Sequence, residues 1–158
     1  MPDATNILRA ERDDLSAILT LQLLAYQSEA KLLNDFTIPP LRETLDDVRR
    51  QFAGGIILKA ITPSGDVIGS VRGTVNEGTL HIGKLMVHPE HQGKGLGGRL
   101  LREIEKYSPQ PRYEFFTSTK SARNISLYEK NGYVQYFTKE LTPEIQLVYL
   151  EKHRQAVL

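Results

Sequence analysis

The stretch Leu85-Met86-Val87-His88-Pro89-Glu90-His91-Gln92-Gly93-Lys94-Gly95-Leu96-Gly97-Gly98 admits few folds, because it ends a strand, crowds glycines into a turn and opens a helix. Pro89 stops the strand. Gly93, Gly95 and Gly97 remove side chains where backbone N–H groups must come close to a ligand. A helix beginning near Leu96 aims its unpaired N–H groups and positive dipole end at an anion. Three alternate glycines exceed what a plain turn needs, so the pattern describes a phosphate site. Two other phosphate loops fail on residue identity. Gly93, Gly95 and Gly98 match the dinucleotide spacing, but the strand expected over residues 113–117 closes on Ser118 and Thr119, where an acidic residue should hold a ribose. The Walker A pattern fails because Gly93-Lys94 is followed by Gly95, not by Ser or Thr.

Periodicity on either side of this turn describes an alternating α/β chain. Residues 6–10 suit a first strand, and Asp13 or Asp14 caps a helix running on towards Ala30. Leu15, Ile18, Leu19, Leu21, Leu23 and Leu24 make that helix apolar around much of its girth, which places it between a sheet and other material. Leu41, Leu45, Val48 and Phe52 fall at helical spacing in a second helix ended by Gly54-Gly55. Between the two, Asn34-Asp35-Phe36-Thr37-Ile38-Pro39-Pro40 reads as a loop. Residues 56–61 and 67–75 are β-branched runs joined by Pro63-Ser64-Gly65-Asp66, hence a hairpin. Asn76-Glu77-Gly78 then turns into the strand that leads to the glycine loop. There Leu80 and Ile82 share one face, yet Leu85 and Val87 fall out of phase by one. A β-bulge near Gly83-Lys84 restores the core face, while the competing reading buries Met86 and needs no bulge. Leu96, Leu100, Leu101, Ile104 and Tyr107 form the stripe of the next helix. The strand over residues 113–117 follows, then a helix over residues 122–130 stopped by Asn131-Gly132, and an antiparallel pair over residues 134–138 and 145–149.

Composition removes several function classes. With 158 residues the chain has the length of one domain, expected to cover residues 1–158, and its formal charge of +1 includes no basic block of the kind nucleic-acid binders carry. The absence of cysteine excludes disulfides, thiolate metal sites and a cysteine acyl-enzyme, and four scattered His residues do not predict a metal site. Met1-Pro2-Asp3-Ala4-Thr5-Asn6 lacks the basic and apolar stretches of a signal peptide, and no run of ~18 apolar residues is present. A soluble cytoplasmic protein with no membrane or nucleic-acid partner is the expectation.

Gln92-Gly93-Lys94-Gly95-Leu96-Gly97, preceded by Leu85-x-Val87-x-Pro89, closely resembles the acetyl-CoA loop of the GNAT superfamily of N-acetyltransferases. Asn124-Ile125-Ser126-Leu127-Tyr128-Glu129-Lys130-Asn131-Gly132-Tyr133 looks like that family's second segment, and the two blocks span residues 80–136. The resemblance implies an α/β (α+β) GNAT fold with a mixed central sheet of six to seven strands flanked by about four helices. It also implies a β-bulge and a strand splay at the cofactor site.

The activity implied is transfer of an acetyl group from acetyl-CoA to a primary amine of a small molecule or peptide, by direct attack in a ternary complex. The alternative is a non-catalytic acyl-CoA-binding sensor or structural module. On the family pattern, the pyrophosphate rests on N–H groups between Gly93 and Gly98, including those of Lys94, Leu96 and Gly97, with Gln92 anchoring the loop. Lys94 and Arg99 either supply charge to the phosphates or lie on a solvated helix face. The pantetheine arm adds to the backbone edge of Leu85, Met86 and Val87, and the N–H of Met86 or Val87 faces the thioester carbonyl. Tyr128 is assigned to the departing sulfur, and Asn124 contacts the cofactor, although the commoner pattern places that Asn where this chain has Ser121, a helix N-cap by type. Gly83 stands where many relatives carry a basic Glu, leaving His81, Glu77, Glu29, Glu114 or a relayed water as the base. The acceptor pocket is expected from Tyr26, Gln27, Glu29, Asp35, Phe36 and Ile38, and its two carboxylates hint at a cationic amine. Tyr133, Tyr136, Phe137 and Tyr149 are candidates for a homodimer surface or for core.

Overall fold

The computed structural model describes residues 4–154, so Met1-Pro2-Asp3, read above for a targeting segment, lie outside the described residues. Seven strands among the described residues form one sheet: β1 (Asn6–Arg9), β2 (Ile56–Ile61), β3 (Val67–Asn76), β4 (Thr79–Val87), β5 (Arg112–Ser118), β6 (Val134–Thr142) and β7 (Ile145–His153). Their order is β1-β2-β3-β4-β5-β7-β6, antiparallel throughout except for the parallel pair β4–β5. The helices among the described residues are α1 (Leu15–Ala25), α2 (Gln27–Leu33), α3 (Pro39–Arg42), α4 (Leu45–Gly54), α5 (Leu96–Tyr107) and α6 (Ala122–Lys130). None is long and apolar enough to cross a membrane.

Two helices more than expected arise from local chemistry. The long first helix breaks at Tyr26 (ψ 0°) into α1 and α2, after a 3-10 turn over Arg12–Asp14 in which Asp14 accepts from the Glu11 N–H at 2.7 Å. The proline-rich segment, expected to be loop, contributes the single turn α3, because proline is tolerated in the first turn of a helix where its missing N–H has no partner to lose. Thr44 and Asp47 then exchange capping bonds at 3.3 and 2.8 Å to start α4. At the far end of the chain, α6 stops at Gly132 (φ 93°), with Tyr133 N–H reaching back to the Tyr128 carbonyl at 3.0 Å.

Both faces of β2–β4 are largely buried, whereas the edge strand β1 is mostly exposed. Leu96, Leu100, Leu101 and Ile104 of α5 pack with Leu58, Val71, Leu80 and Phe115 on one side, while Leu15, Ile18 and Leu21 of α1 and Val48 of α4 meet Ile57 and Met86 on the other. Each fully buried leucine here contributes about 1.5–3 kcal/mol. The expected bulge is present: Arg72 pairs with Gly83 and Ser70 with Met86, so Val71 alone faces both Lys84 and Leu85. Lys84 takes the left-handed conformation (φ 51°). The bulge returns Leu85 and Val87 to the α5 side, and Met86 is buried as well, because α1 covers the opposite face. The two readings of the sequence were therefore not exclusive.

β4 and β5 pair only from Thr79↔Arg112 to His81↔Glu114 and then diverge. This splay leaves the last six residues of β4 without a partner on one edge.

Candidate active site

The turn before α5 takes the form its glycines require. Gly93 and Gly95 have φ of 79° and 81°, and a Cβ at either would meet nothing within 4 Å. The demand for glycine is therefore conformational, and the space over the loop is open. The first hydrogen bond of α5 runs from Arg99 N–H to the Gly95 carbonyl at 3.2 Å, so the N–H groups of Leu96, Gly97 and Gly98 stand ahead of the helical ladder. Together with the dipole of α5 they make an anion cradle. Gln92 ties it down: its amide donates to the Val87 carbonyl at 3.3 Å and its oxygen accepts from Arg123 of α6 at 3.0 Å.

The free edge of β4 has a defined polarity. His88 N–H donates to the Ile68 carbonyl of β3 at 2.8 Å. Backbone groups of successive strand residues alternate in direction, so Val87 turns its N–H to the gap while Met86, paired with Ser70, turns its own to β3. Of the two expected thioester donors, Val87 turns its N–H to the gap and Met86 does not, and both residues line the cleft.

A cleft of about 720 Å³ runs from the glycine loop along this edge to α1 and α2. Leu85, Met86, Val87, Gln92, Gly93, Gly95, Leu96, Gly97, Gly98 and Asn124 line it, as do Tyr26 and Glu29 from the expected acceptor side. Lys94, Asp35, Phe36, His81 and Tyr128 are not in its wall. Asp35 instead accepts from the Thr37 N–H at 2.8 Å in a local turn, and Phe36 is exposed. Ile38 is core, and Arg99 reaches the Thr5 carbonyl at 3.0 Å. The cations that do line the cleft are Lys120, Arg123 and Lys130. Sequence reasoning passed over them, although Arg123, Leu127 and Lys130 recur at helical spacing on one face of α6.

Long-range contacts hold the remaining candidates. Ser121 sits at the N-terminus of α6 but makes no capping bond with its side chain; its hydroxyl donates to Glu29, joining α2 to α6 across the cleft. The Asn124 amide reaches the Thr117 hydroxyl at 3.4 Å. Tyr128 is 1% exposed, its ring 4.0 Å from that of Phe115 and 6.0 Å from that of Tyr133. Burial first, then the neighbouring Tyr26, Tyr133 and Glu29, push its pKa well up, so its hydroxyl keeps its proton.

Where the strands part, His81 Nδ1 lies 2.9 Å from Glu114, which also accepts from Arg112 at 3.0 Å and from the Tyr136 hydroxyl. Burial alone would raise the Glu114 pKa, but hydrogen bonds from Tyr136, Arg112 and His81 outweigh it and hold the carboxyl below the usual range. Glu77 occupies the turn at the opposite end of β4, with φ of 49°.

Behind the bulge lies a second polar cluster. Arg72, 5% exposed, donates to Glu43 at 3.2 Å, to Gln51 at 2.8 Å and to Gln22, and its Nε is buried with no partner among the described residues. Glu43 further accepts from Gln22 at 2.7 Å and lies 3.7 Å from Lys84 Nζ. The bulge residue is thus held to the loop before α4.

A mixed sheet that splays beside an anion cradle at a helix N-terminus is the arrangement that the sequence resemblance implied. A family model described as "Acetyltransferase (GNAT) family" matches residues 16–133, and the chain belongs to that family. Among solved structures, the ribosomal-protein-S18-alanine N-acetyltransferase from Escherichia coli superposes with a TM-score of 0.77 at 18% identity, covering 97% of this chain and 96% of that one. The PaiA N-acetyltransferase from Thermoplasma acidophilum in complex with coenzyme A gives 0.70 at 17% identity, covering 95% and 99%. The UPF0157 protein YqkA of Bacillus subtilis (strain 168) is 30% identical over 120 residues, or 73% of this chain. The match takes in 33% of that relative's length.

Proposed function

We propose that this protein is an acetyl-CoA-dependent N-acetyltransferase, a single domain that transfers an acetyl group directly to a primary amine of a small molecule or peptide. The observation that carries this reading is the splay after His81↔Glu114, which leaves the Val87 N–H facing a gap beside the glycine loop. Acetyl-CoA, when bound, supplies an acyl group activated as a thioester.

The chain's residues divide the remaining work. N–H groups from Gly93 to Gly98 hold the pyrophosphate, with Lys120 and Arg123 contributing positive charge from the cleft wall. Val87 N–H donates to the acyl oxygen as it gains negative charge, an effect worth about 3 kcal/mol. The incoming ammonium, of pKa ~10.4, must lose a proton before attack. Glu114 fixes His81 through Nδ1, which leaves Nε2 to take that proton through relayed water, since His81 stands outside the cleft wall. As the N–C bond forms and the C–S bond breaks, the thiolate takes a proton, and Tyr128 is the neutral acid on the same helix as Asn124. Its position behind the cleft wall favours keeping the sensor reading as the second one.

Calorimetric titration with acetyl-CoA, CoA and NAD, repeated on Gly95→Glu, tests the loop. Acetyl-CoA binding abolished by the substitution is expected, and failure of both CoA species to bind overturns the proposal. Tyr128→Phe then separates the readings: an enzyme loses kcat more than affinity, whereas a sensor keeps its ligand response.

A further inference from the structure

Beyond the gap, the sheet carries an aromatic face. Phe116 of β5 lies 5.2 Å from Tyr149 of β7 between ring centroids, and Tyr149 lies 5.5 Å from Phe137 and 6.5 Å from Tyr136 of β6. Phe116 and Phe137 are 49% and 53% exposed, although Phe115, Val148 and Leu150 on the other side of the same strands are core. Exposed apolar patches of this kind mark binding surfaces more often than single exposed residues do.

Three observations connect this face to the reaction gap. First, it is continuous with His81: the last parallel pair is His81↔Glu114, and Phe116 follows two residues on, on the same face of β5. Had pairing continued, Phe116 would stand opposite Gly83. Second, the surface at Gly83 is vacant, because a Cβ there would meet nothing within 4 Å, and the backbone is not left-handed. An empty volume therefore stands over β4 beside His81. Third, the carboxylates at this rim are already hydrogen-bonded within the protein. Glu114 is held by His81, Arg112 and Tyr136, and Glu151 by Arg112 and His153, each at 2.9 Å. An incoming polycation would have to displace these partners to reach either carboxylate.

We propose that this face docks the acceptor, and that the acceptor is a primary amine carrying an aromatic or extended apolar body. The body lies on Phe116 and Tyr149, and the amine passes over Gly83 along the free edge of β4 towards the acyl group at Val87. This replaces the cationic amine suggested by Glu29 and Asp35, since Glu29 is engaged by Ser121 and Asp35 does not line the cleft. The inference rests on the acetyltransferase reading.

The test is steady-state acetyl transfer, followed by CoA thiol release, to phenethylamine, ethylamine and spermidine. It is run with the full chain and with Phe116→Ala, Phe116→Leu and Phe137→Ala. We expect phenethylamine to exceed ethylamine and spermidine in kcat/KM by at least about tenfold. Phe116→Ala should raise KM for phenethylamine by a similar factor while leaving KM for acetyl-CoA in place, and Phe116→Leu should recover part of the loss. Preference for spermidine, or an unchanged KM in Phe116→Ala, overturns the proposal. If acetyl-CoA binds and no amine turns over, calorimetry of phenethylamine with the CoA complex decides, because binding weakened by Phe116→Ala supports the platform and no binding overturns it. Absence of acetyl-CoA binding instead sinks the transferase reading. Sedimentation showing a dimer that Phe137→Ala dissociates, with KM unmoved, assigns the face to a second copy and overturns the acceptor proposal.

Discussion

The two charged clusters on the α1 side of the sheet are built from the same chemistry and do opposite things. Arg72, Glu43, Gln22 and Gln51 lie beneath α1 and α4, whereas Arg112, Glu114, Glu151 and Tyr136 lie on the open strands β5, β7 and β6. In the first, nearly every donor is consumed inside the protein, and the cluster joins α1, the loop before α4, β3 and the β4 bulge. In the second, the same carboxylate–guanidinium contacts leave one imidazole nitrogen, His81 Nε2, without a protein partner among the described residues. Helix coverage decides which kind of cluster results. A covered cluster must satisfy itself or carry a desolvation cost, and an open one can present a group to a substrate.

The largest effect that would sharpen this contrast is on rate. His81→Ala should lower kcat by about 10²- to 10³-fold with an unchanged thermal midpoint, measured by acetyl transfer and calorimetry in parallel; a full rate would remove the open cluster from the mechanism. Next is stability: Glu43→Ala leaves Arg72 and Lys84 facing each other with no anion and should cost about 3 kcal/mol in urea unfolding. A loss below about 1 kcal/mol would mean that water already reaches the covered cluster. Glu114→Gln makes the corresponding change on the open side. It should lower kcat by about tenfold through a misdirected His81 while costing under about 1 kcal/mol of stability, because Arg112 keeps Glu151.

Acid should act through the covered cluster. Burial would raise the Glu43 pKa, but hydrogen bonds from Gln22 and Gln51 and the charges of Lys84 and Arg72 lower it below its ordinary 4.5. A carboxyl whose folded pKa is depressed contributes stability above its unfolded pKa and loses that contribution as pH falls through the folded value. The stability gap between the parent protein and Glu43→Gln should therefore be constant near neutrality and close below about pH 4, as read from urea midpoints across pH. The smallest effect is expected for Arg49→Ala. Its pairing with Asp46 is exposed on both sides, and the unfolding midpoint should stay within measurement error.

Much of the fold follows from local patterns. The glycine turn, the β2–β3 hairpin, α6 over Ala122–Lys130 and the bulge at Lys84 all stand where residue chemistry places them. The misses have identifiable causes. β6 and β7 run further than expected, because the outer residues of β6 are solvent-facing and polar, as at Lys139 and Glu140, and show no alternation. Tyr133 is core while Tyr136 and Phe137 are exposed, and nothing in three aromatic residues so close together says which of them a helix will cover.

The chain by itself determined the anion cradle, because left-handed glycines and an uncapped helix start depend only on backbone within a few residues. It also determined the alternation of elements, since periodicity registers which face of each is apolar. Only the tertiary structure decided that Ser121 would hold Glu29, 92 residues away, that Tyr128 would sit behind the cleft wall, and that His81 would meet Glu114 at the last paired position before the splay. These contacts join segments far apart in the chain, and their distances exist only once packing has chosen which faces meet.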